Sequence, residues 1–288
     1  MDLPYLGQTA IHTFIDAALK EDIGNGDHST LGAVPDNRKS AAQLLIKDKG
    51  IIAGIELAGI IFHKVDPELE IHFMVKDGDS VDVGDIGLVV KGKAQSILTA
   101  ERLVLNCMQR MSGIATRTDQ LTQLIKHTKA RLLDTRKTTP NARLIEKWAV
   151  AIGGGRNHRF GLFDMVMLKD NHNDYAGGIK PAVESVKGYL KSKNLDLKIE
   201  VETRNLEEVR EVLQTGGVDV IMLDNFPVEL LKEAVTEIGN QCQTEASGGI
   251  TEETIVEVAE SGVDFISVGA LTHSYKSLDI SLKAVASS

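Results

Sequence analysis

Four apolar, β-rich runs recur at a near-constant interval through the second half of the chain, and this rhythm narrows the choice of fold more than any other feature. They are "LKIEVET" (197–203), "VDVIMLDN" (218–225), "CQTEASGG" (242–249) and "VDFISVG" (263–269), with starts 21 to 24 residues apart. Between them, "NLEEVREVLQTGG", "PVELLKEAVTEIG" and "TEETIVEVAESG" each open on a capping residue or proline, carry apolar residues three and four apart, and close on glycine, the marks of a helix. Upstream, "RLLDT" and "MVMLKD" read as two more strands around the helix "PNARLIEKWAVAIGG". Strands alternating with helices of this length imply βαβ units and a parallel sheet. Six strands at this repeat predict an α/β fold built on a TIM-like, incomplete (β/α) barrel.

The first part of the chain has a different pattern. "TAIHTFIDAALKED" reads as a helix, whereas "AAQLLIKDKGIIAG" and "LEIHFMVKDGDSVDVGDIGLVVKGKA" alternate with period two and are expected to turn at Asp-Gly pairs as antiparallel hairpins. "SILTAERLVLNCMQRMSGIATRTDQLTQLIKH" is helical in pattern, with an expected break at "SGIAT". The break sets a boundary at residue 113: an N-terminal α+β open-sandwich domain over 1–113, the barrel over 114–270, and a segment 271–288 returning to the N-terminal domain.

Bulk properties exclude several functions. At 288 residues the chain has ample material for a real core. A formal net charge of −9 argues against general binding to nucleic acid or an anionic membrane. No stretch approaches the roughly 18 apolar residues of a membrane span. The N-terminal sequence lacks a basic region followed by an apolar core, so no signal peptide is expected. Cys107 and Cys242 show neither metal-ligand spacing nor a disulfide framework, which fits a reduced cytoplasm.

Against this acidity, one region concentrates positive charge. From Arg131 to Lys169 there are eight Lys or Arg and three acids. In a (β/α) barrel the site forms where strands end, and the strand ends here read Arg136 and Lys137, Lys169, Glu202, Asp224, Ser247 with Gly248 and Gly249, and Gly269. Cations suit an anionic substrate, carboxylates a metal or hydroxyls, and glycines a phosphate. Each part has a plainer reading. "TRKTTP" reads equally as a solvated loop, "GGG" (153–155) as a helix stop, His158 as a structural histidine and "SGG" as a turn. Lys169 follows "MVML", and a lysine in a buried strand needs a partner or a function; a structural ion pair with Glu202 or Asp224 would satisfy it. Glu200 and Glu202 share a face, and Glu202 is preferred as nearer the strand end.

The motifs "DTRKTTP", "GGGRNHRFGLFDMVMLKDNH", "IEVET", "IMLDN", "EASGGI" and "ISVGA", in this order, resemble the quinolinate phosphoribosyltransferase family, as do "ALKEDIGNGDHST" and "TAERLVLNCMQRMSGIAT" nearer the N-terminus. "HST" stands where the family often shows two threonines. The resemblance implies transfer of phosphoribosyl from phosphoribosyl pyrophosphate to quinolinate with decarboxylation, giving nicotinate mononucleotide, pyrophosphate and carbon dioxide, with Mg²⁺. By the same resemblance, Arg136, Lys137, His158, Arg159 and Lys169 line the quinolinate and pyrophosphate pocket. Glu202 and Asp224 hold the ribose hydroxyls, directly or through Mg²⁺, and Ser247, Gly248, Gly249 and Gly269 cradle the 5′-phosphate. Lys137, Lys169, Glu202 and Asp224 form the implied catalytic set. Arg102 would serve a neighbouring subunit's site in a homodimer or higher homo-oligomer. Whether His158 touches substrate or orients Arg159 stays open. Three rivals remain at this point: a relative acting on nicotinate, a Schiff-base aldolase using Lys169, and a barrel that only binds phosphorylated ligands.

Overall fold

The computed structural model describes residues 3–285. In chain order it begins with α1 (Gln8–Ile23), α2 (His28–Ala33), β1 (Lys39–Ile46), β2 (Gly50–Ile51) and α3 (Ile55–Val65). Then come β3 (Glu70–Phe73), β4 (Ser80–Val81), β5 (Ile86–Lys93) and the long α4 (Ala94–Ile125). The strand–helix series follows: β6 (Arg131–Leu133), α5 (Arg143–Ile152), β7 (Val166–Leu168), α6 (Asp170–Ala176), α7 (Ile179–Lys193) and β8 (Ile199–Thr203). It continues through α8 (Leu206–Thr215), β9 (Val220–Asp224), α9 (Val228–Ile238), β10 (Gln243–Ser247), α10 (Ile255–Glu260) and β11 (Phe265–Ser267), and ends with α11 (Ala270–His273) and β12 (Ile280–Ala284). The chain forms two compact units. One runs up to Asp119 and includes Thr138–Gly154 and the chain from Ala270 on; the other comprises Gln120–Lys137 and Gly155–Gly269.

The first unit is built on a four-stranded antiparallel sheet, order β12-β1-β5-β3. The period-two pattern of β1 puts Leu44 between Leu88 of β5 and Leu282 of β12 in register, and all three are buried. Such cross-strand apolar rows are what stabilise a sheet face. The expected turn at Asp77-Gly78 forms, with the Asp79 N–H on the Lys76 carbonyl at 3.1 Å, but it does not join a hairpin: β3 and β5 pair with each other, and β4 between them pairs with β2. Asp77 is diverted to the start of α3, accepting the N–H groups of Ile55 (2.9 Å) and Glu56 (3.2 Å), where a carboxylate satisfies orphan donors. The segment expected to return from residue 271 supplies β12, and its last residues, 286–288, lie outside the described residues.

The expected break at "SGIAT" is also corrected. α4 runs unbroken through Gly113, and the two units divide further on, at Asp119/Gln120, still inside the helix. Gly113 is a point of close approach. A Cβ there would stand 2.3 Å from the carbonyl oxygen of Lys276 and 3.0 Å from Ser277 Cα. Nearby, Glu146 of α5 is fully buried, makes an ion pair with Arg110 and accepts the N–H of Thr139 at 3.1 Å.

The second unit holds a six-stranded all-parallel sheet, order β6-β11-β10-β9-β8-β7. β6, first in sequence, pairs with β11, last in sequence, while β6 and β7 do not pair. This is an incomplete barrel, as the repeat predicts. Its helices start where the sequence places caps: Asn205 accepts the N–H of Glu208 at 3.0 Å ahead of α8, and Pro227 precedes α9. Among the described residues no helix is long and apolar enough to cross a membrane.

Candidate active site

The carboxyl ends of the parallel strands bring the charged residues together. Lys169 follows β7 and precedes α6, and its Nζ lies 2.8 Å from Glu202 Oε2. Glu202, the next-to-last residue of β8, is buried, and its Oε1 also accepts the N–H of Asp170 at 3.4 Å. The carboxylate thus sits against both a cation and the start of a short helix. Asp224 ends β9. Burial, and next the charge of Glu202, push its carboxyl above the usual range, with Lys169 opposing them. Two neighbouring carboxyl groups beside a lysine are suited to a ligand rich in hydroxyls or to a cation.

The glycine loop after β10 docks on the same strand end. The Asn225 N–H donates to the Ser247 carbonyl at 2.8 Å, and its side-chain amide donates to Asp224 Oδ2 at 2.7 Å. Gly248 has φ +95°, and a Cβ on it would lie 2.3 Å from Asn225 Oδ1 and 2.9 Å from the Asn225 nitrogen. Only glycine fits there. Gly269 follows β11 by two residues, on the next strand of the sheet.

The basic side is organised by a fully buried acid that the sequence reading did not single out. Asp134, just after β6, accepts the backbone N–H of His158 at 2.9 Å and the Asn157 amide at 2.6 Å. Arg156 joins the same strand by pairing with Leu133. The segment from Arg156 to Arg159 is therefore tied to β6, and Arg159 Nη1 donates to the Met165 carbonyl at 3.3 Å. Burial, and then the charge of Arg136, hold the Arg159 guanidinium below its usual range. A half-buried guanidinium with a second arginine's charge beside it is a site prepared for an anion. Lys137 follows at the exposed end of the loop, its N–H on Thr135 Oγ1 at 3.0 Å.

His158 is inside. Its side chain is 8% exposed, with Nε2 2.8 Å from Glu200 Oε2 and 3.5 Å from Glu245 Oε2. Glu200, set aside in favour of Glu202 on sequence, and Glu245, not considered, are both buried in the second unit. The available signal was period two: Glu200 precedes Glu202 by two residues and Glu245 precedes Ser247 by two, so each shares the face of its strand-end neighbour. Arg102 lies on α4, exposed, in the first unit.

Comparison with known proteins gives a consistent result. The family description "Quinolinate phosphoribosyl transferase, N-terminal domain" matches residues 27–112, and its C-terminal counterpart matches 114–283. The chain is 52% identical over 284 residues to the chloroplastic nicotinate-nucleotide pyrophosphorylase (carboxylating) of Arabidopsis thaliana, covering 93% of this chain and 81% of that protein. It is 41% identical over 278 residues to a probable nicotinate-nucleotide pyrophosphorylase (carboxylating) of Synechocystis, covering 96% of this chain and 92% of the relative. Among solved structures, NadC from Streptococcus pyogenes superposes with a TM-score of 0.90 at 37% identity, over 99% of this chain and all of that one.

Proposed function

The chain belongs to the quinolinate phosphoribosyltransferase family, and on that premise we propose how its strand-end residues divide the work. The reaction is the transfer of phosphoribosyl from phosphoribosyl pyrophosphate to quinolinate with decarboxylation, yielding nicotinate mononucleotide, pyrophosphate and carbon dioxide. The observation that carries the division is the opposition of two charge pairs in one unit. Arg136 and Arg159 crowd each other, while Glu202 and Asp224 crowd each other beside Lys169.

Quinolinate is a dianion, and Arg136 and Arg159, with Lys137 and Lys169, hold its carboxylates. Guanidinium offers two parallel N–H groups to a carboxylate, which fixes orientation as well as charge. Ser247, Gly248, Gly249 and Gly269 receive the 5′-phosphate on backbone N–H groups, at the strands where barrels commonly bind phosphate. Glu202 and Asp224 take the ribose hydroxyls. Their carboxylate oxygens are hard donors suited to Mg²⁺, and the repulsion that raises Asp224 is what a cation between them would relieve. When bound, Mg²⁺ would neutralise charge on the leaving pyrophosphate.

Catalysis is then positioning and electrostatics. The bond from C1 of the ribose to pyrophosphate oxygen breaks as the pyridine nitrogen supplies its pair to C1. The carboxylates of Glu202 and Asp224 face the positive charge that develops on the sugar. Once the nitrogen is quaternary, the C2–carboxylate bond breaks, carbon dioxide leaves, and the electron pair left at C2 is stabilised by the pyridinium until it takes a proton. No covalent nucleophile is needed.

Arg102, exposed on α4, is assigned to the site of a neighbouring chain in a homodimer or larger homo-oligomer. A reduced, cytoplasmic setting is supported by Cys107 and Cys242, both free, with the Cys107 thiol pushed up to about 12 by burial. The decisive experiment is Arg136→Ala, assayed by chromatography of nicotinate mononucleotide from quinolinate, with nicotinate in parallel. Losing a charge-assisted contact of about 1.5–3 kcal/mol should lower kcat/KM for quinolinate roughly 10- to 150-fold. Unchanged turnover and affinity would show that the pocket has been assigned to the wrong residues.

A further inference from the structure

Beneath the proposed pocket lies a buried group that the mechanism does not use. His158 Nδ1 accepts the backbone N–H of Arg159 at 2.8 Å. A ring nitrogen that accepts a hydrogen bond carries no proton, so the hydrogen is on Nε2 and the imidazole is neutral. That single N–H faces two carboxyl groups, Glu200 at 2.8 Å and Glu245 at 3.5 Å. Glu200 comes from β8 and Glu245 from β10, two strands apart in the sheet, which is how alternate strands build one interior layer of a barrel.

The count of hydrogens decides the state of this trio. The side chains of Glu200 and Glu245 are 0% and 1% exposed, and each leaves its Oε1 buried without a hydrogen-bond partner. The donors at hand are the Nε2–H and the hydroxyl of Ser267, which bonds Glu245, and ionising both acids would still place two like charges side by side in the interior. Burial, and then the charge of Glu200, raise the Glu245 carboxyl. A carboxyl proton on Glu245 removes one of the two charges and supplies a donor to Glu200.

We propose that Glu245 is a positioning residue for the reaction: as a carboxylic acid it donates its O–H to Glu200, which also accepts Nε2–H of His158, whose Nδ1 in turn holds the Arg159 main chain. The relay runs from β10 through β8 into the Arg159 segment and sets where that guanidinium stands. This inference rests on the reading of Arg159 as a quinolinate contact.

The test compares Glu245→Gln with Glu245→Leu. Glutamine keeps the shape and supplies an N–H donor to Glu200; leucine supplies none. E245Q should keep KM for quinolinate and kcat within about threefold of the wild type. E245L should raise KM for quinolinate tenfold or more and change KM for phosphoribosyl pyrophosphate much less. Loss of activity in E245Q would overturn the proposal, because an ionised carboxylate would then be required, and so would wild-type KM in E245L. Since E245L risks misfolding, ¹⁵N shifts of the His158 ring in the wild-type protein at neutral pH give a second measurement. The neutral Nε2–H tautomer is expected; an imidazolium would refute the relay. The ligand atoms of the trio lie within 4.8 Å of one another, so a tightly held metal found by elemental analysis of wild type and absent from His158→Ala would also refute it. If Arg136→Ala left quinolinate turnover intact, the pocket assignment would fail, while the ring shifts would still judge the relay by itself.

Discussion

Replacing Gly113 by alanine tests how the first unit is packed, because two effects of opposite sign meet there. Glycine inside a helix costs about 0.5–1 kcal/mol relative to alanine, so in a freely exposed helix the substitution would stabilise. Here the new Cβ would stand 2.3 Å from the Lys276 carbonyl oxygen, with the Lys276 carbonyl carbon and Ser277 Cα at 3.0 Å. All three are backbone atoms, so no rotamer change relieves the overlap. The crossing segment must move by about 1 Å to reach ordinary van der Waals distance. It is tied to α4 by Leu278 N–H on the Gln109 carbonyl at 3.1 Å and by the Gln109 amide on the Ile280 carbonyl at 2.8 Å. Straining or breaking these bonds, at about 1 kcal/mol each, together with overpacking of about 1–3 kcal/mol, outweighs the helix gain. The expected result is a net loss of about 1–3 kcal/mol, read as a lower urea midpoint followed by circular dichroism. An unchanged or higher midpoint would refute the close crossing.

Gly248→Ala should all but abolish turnover and also cost about 1–3 kcal/mol in urea unfolding, since its φ of +95° and the overlap of a Cβ with Asn225 strain the phosphate loop; wild-type kcat/KM would refute the cradle. Chelation by EDTA should stop product formation, and added Mg²⁺ should restore it; full activity in EDTA would remove the metal from Glu202 and Asp224. Stability should also depend on pH through Glu245, whose carboxyl is raised from 4.5 to about 8 by burial and then by the Glu200 charge. A raised acid binds its proton more tightly in the folded chain, so its stabilising effect is complete below about pH 4.5 and is lost as pH rises toward about 8. Between pH 5 and 8, wild type should lose on the order of 1–3 kcal/mol relative to E245Q in urea unfolding, and parallel curves would contradict this.

The sequence made the barrel legible because its strands carry two signals at once, a recurring β-rich run and a chemically distinctive last residue. Lys169, Glu202 and Asp224 were visible as strand ends, and they do sit together in the second unit. Gly113 was misread because glycine marks both helix ends and close backbone crossings, and its partner lies at Lys276, too far along the chain to register in a local pattern. The Asp77-Gly78 turn was legible, but not the partner of the strand after it, since β4 pairs with β2 and Asp77 serves the N–H groups of Ile55 and Glu56. Glu245 escaped notice because a lone acid in a strand reads as solvent-facing. What makes it unusual is its neighbour Glu200 on another strand, and only the fold supplies that neighbour.

The pairing of β1 with β12 imposes an order on how the first sheet is completed during synthesis. Leu44 and Leu282 stand opposite each other, 238 positions apart in the chain (282 − 44). At about 5–20 residues per second, β1 emerges roughly 12–48 s before its partner exists. Until then its outer side is an edge strand with alternating buried residues Ala42, Leu44 and Ile46, the kind of edge that templates unwanted pairing. The second unit is in the same position, because β6 waits for β11 across 134 positions (265 − 131). Both sheets are therefore closed by strands near the end of the chain. A nascent chain arrested before residue 265 would present two open edges at once, and should depend on chaperone cover far more than its finished form.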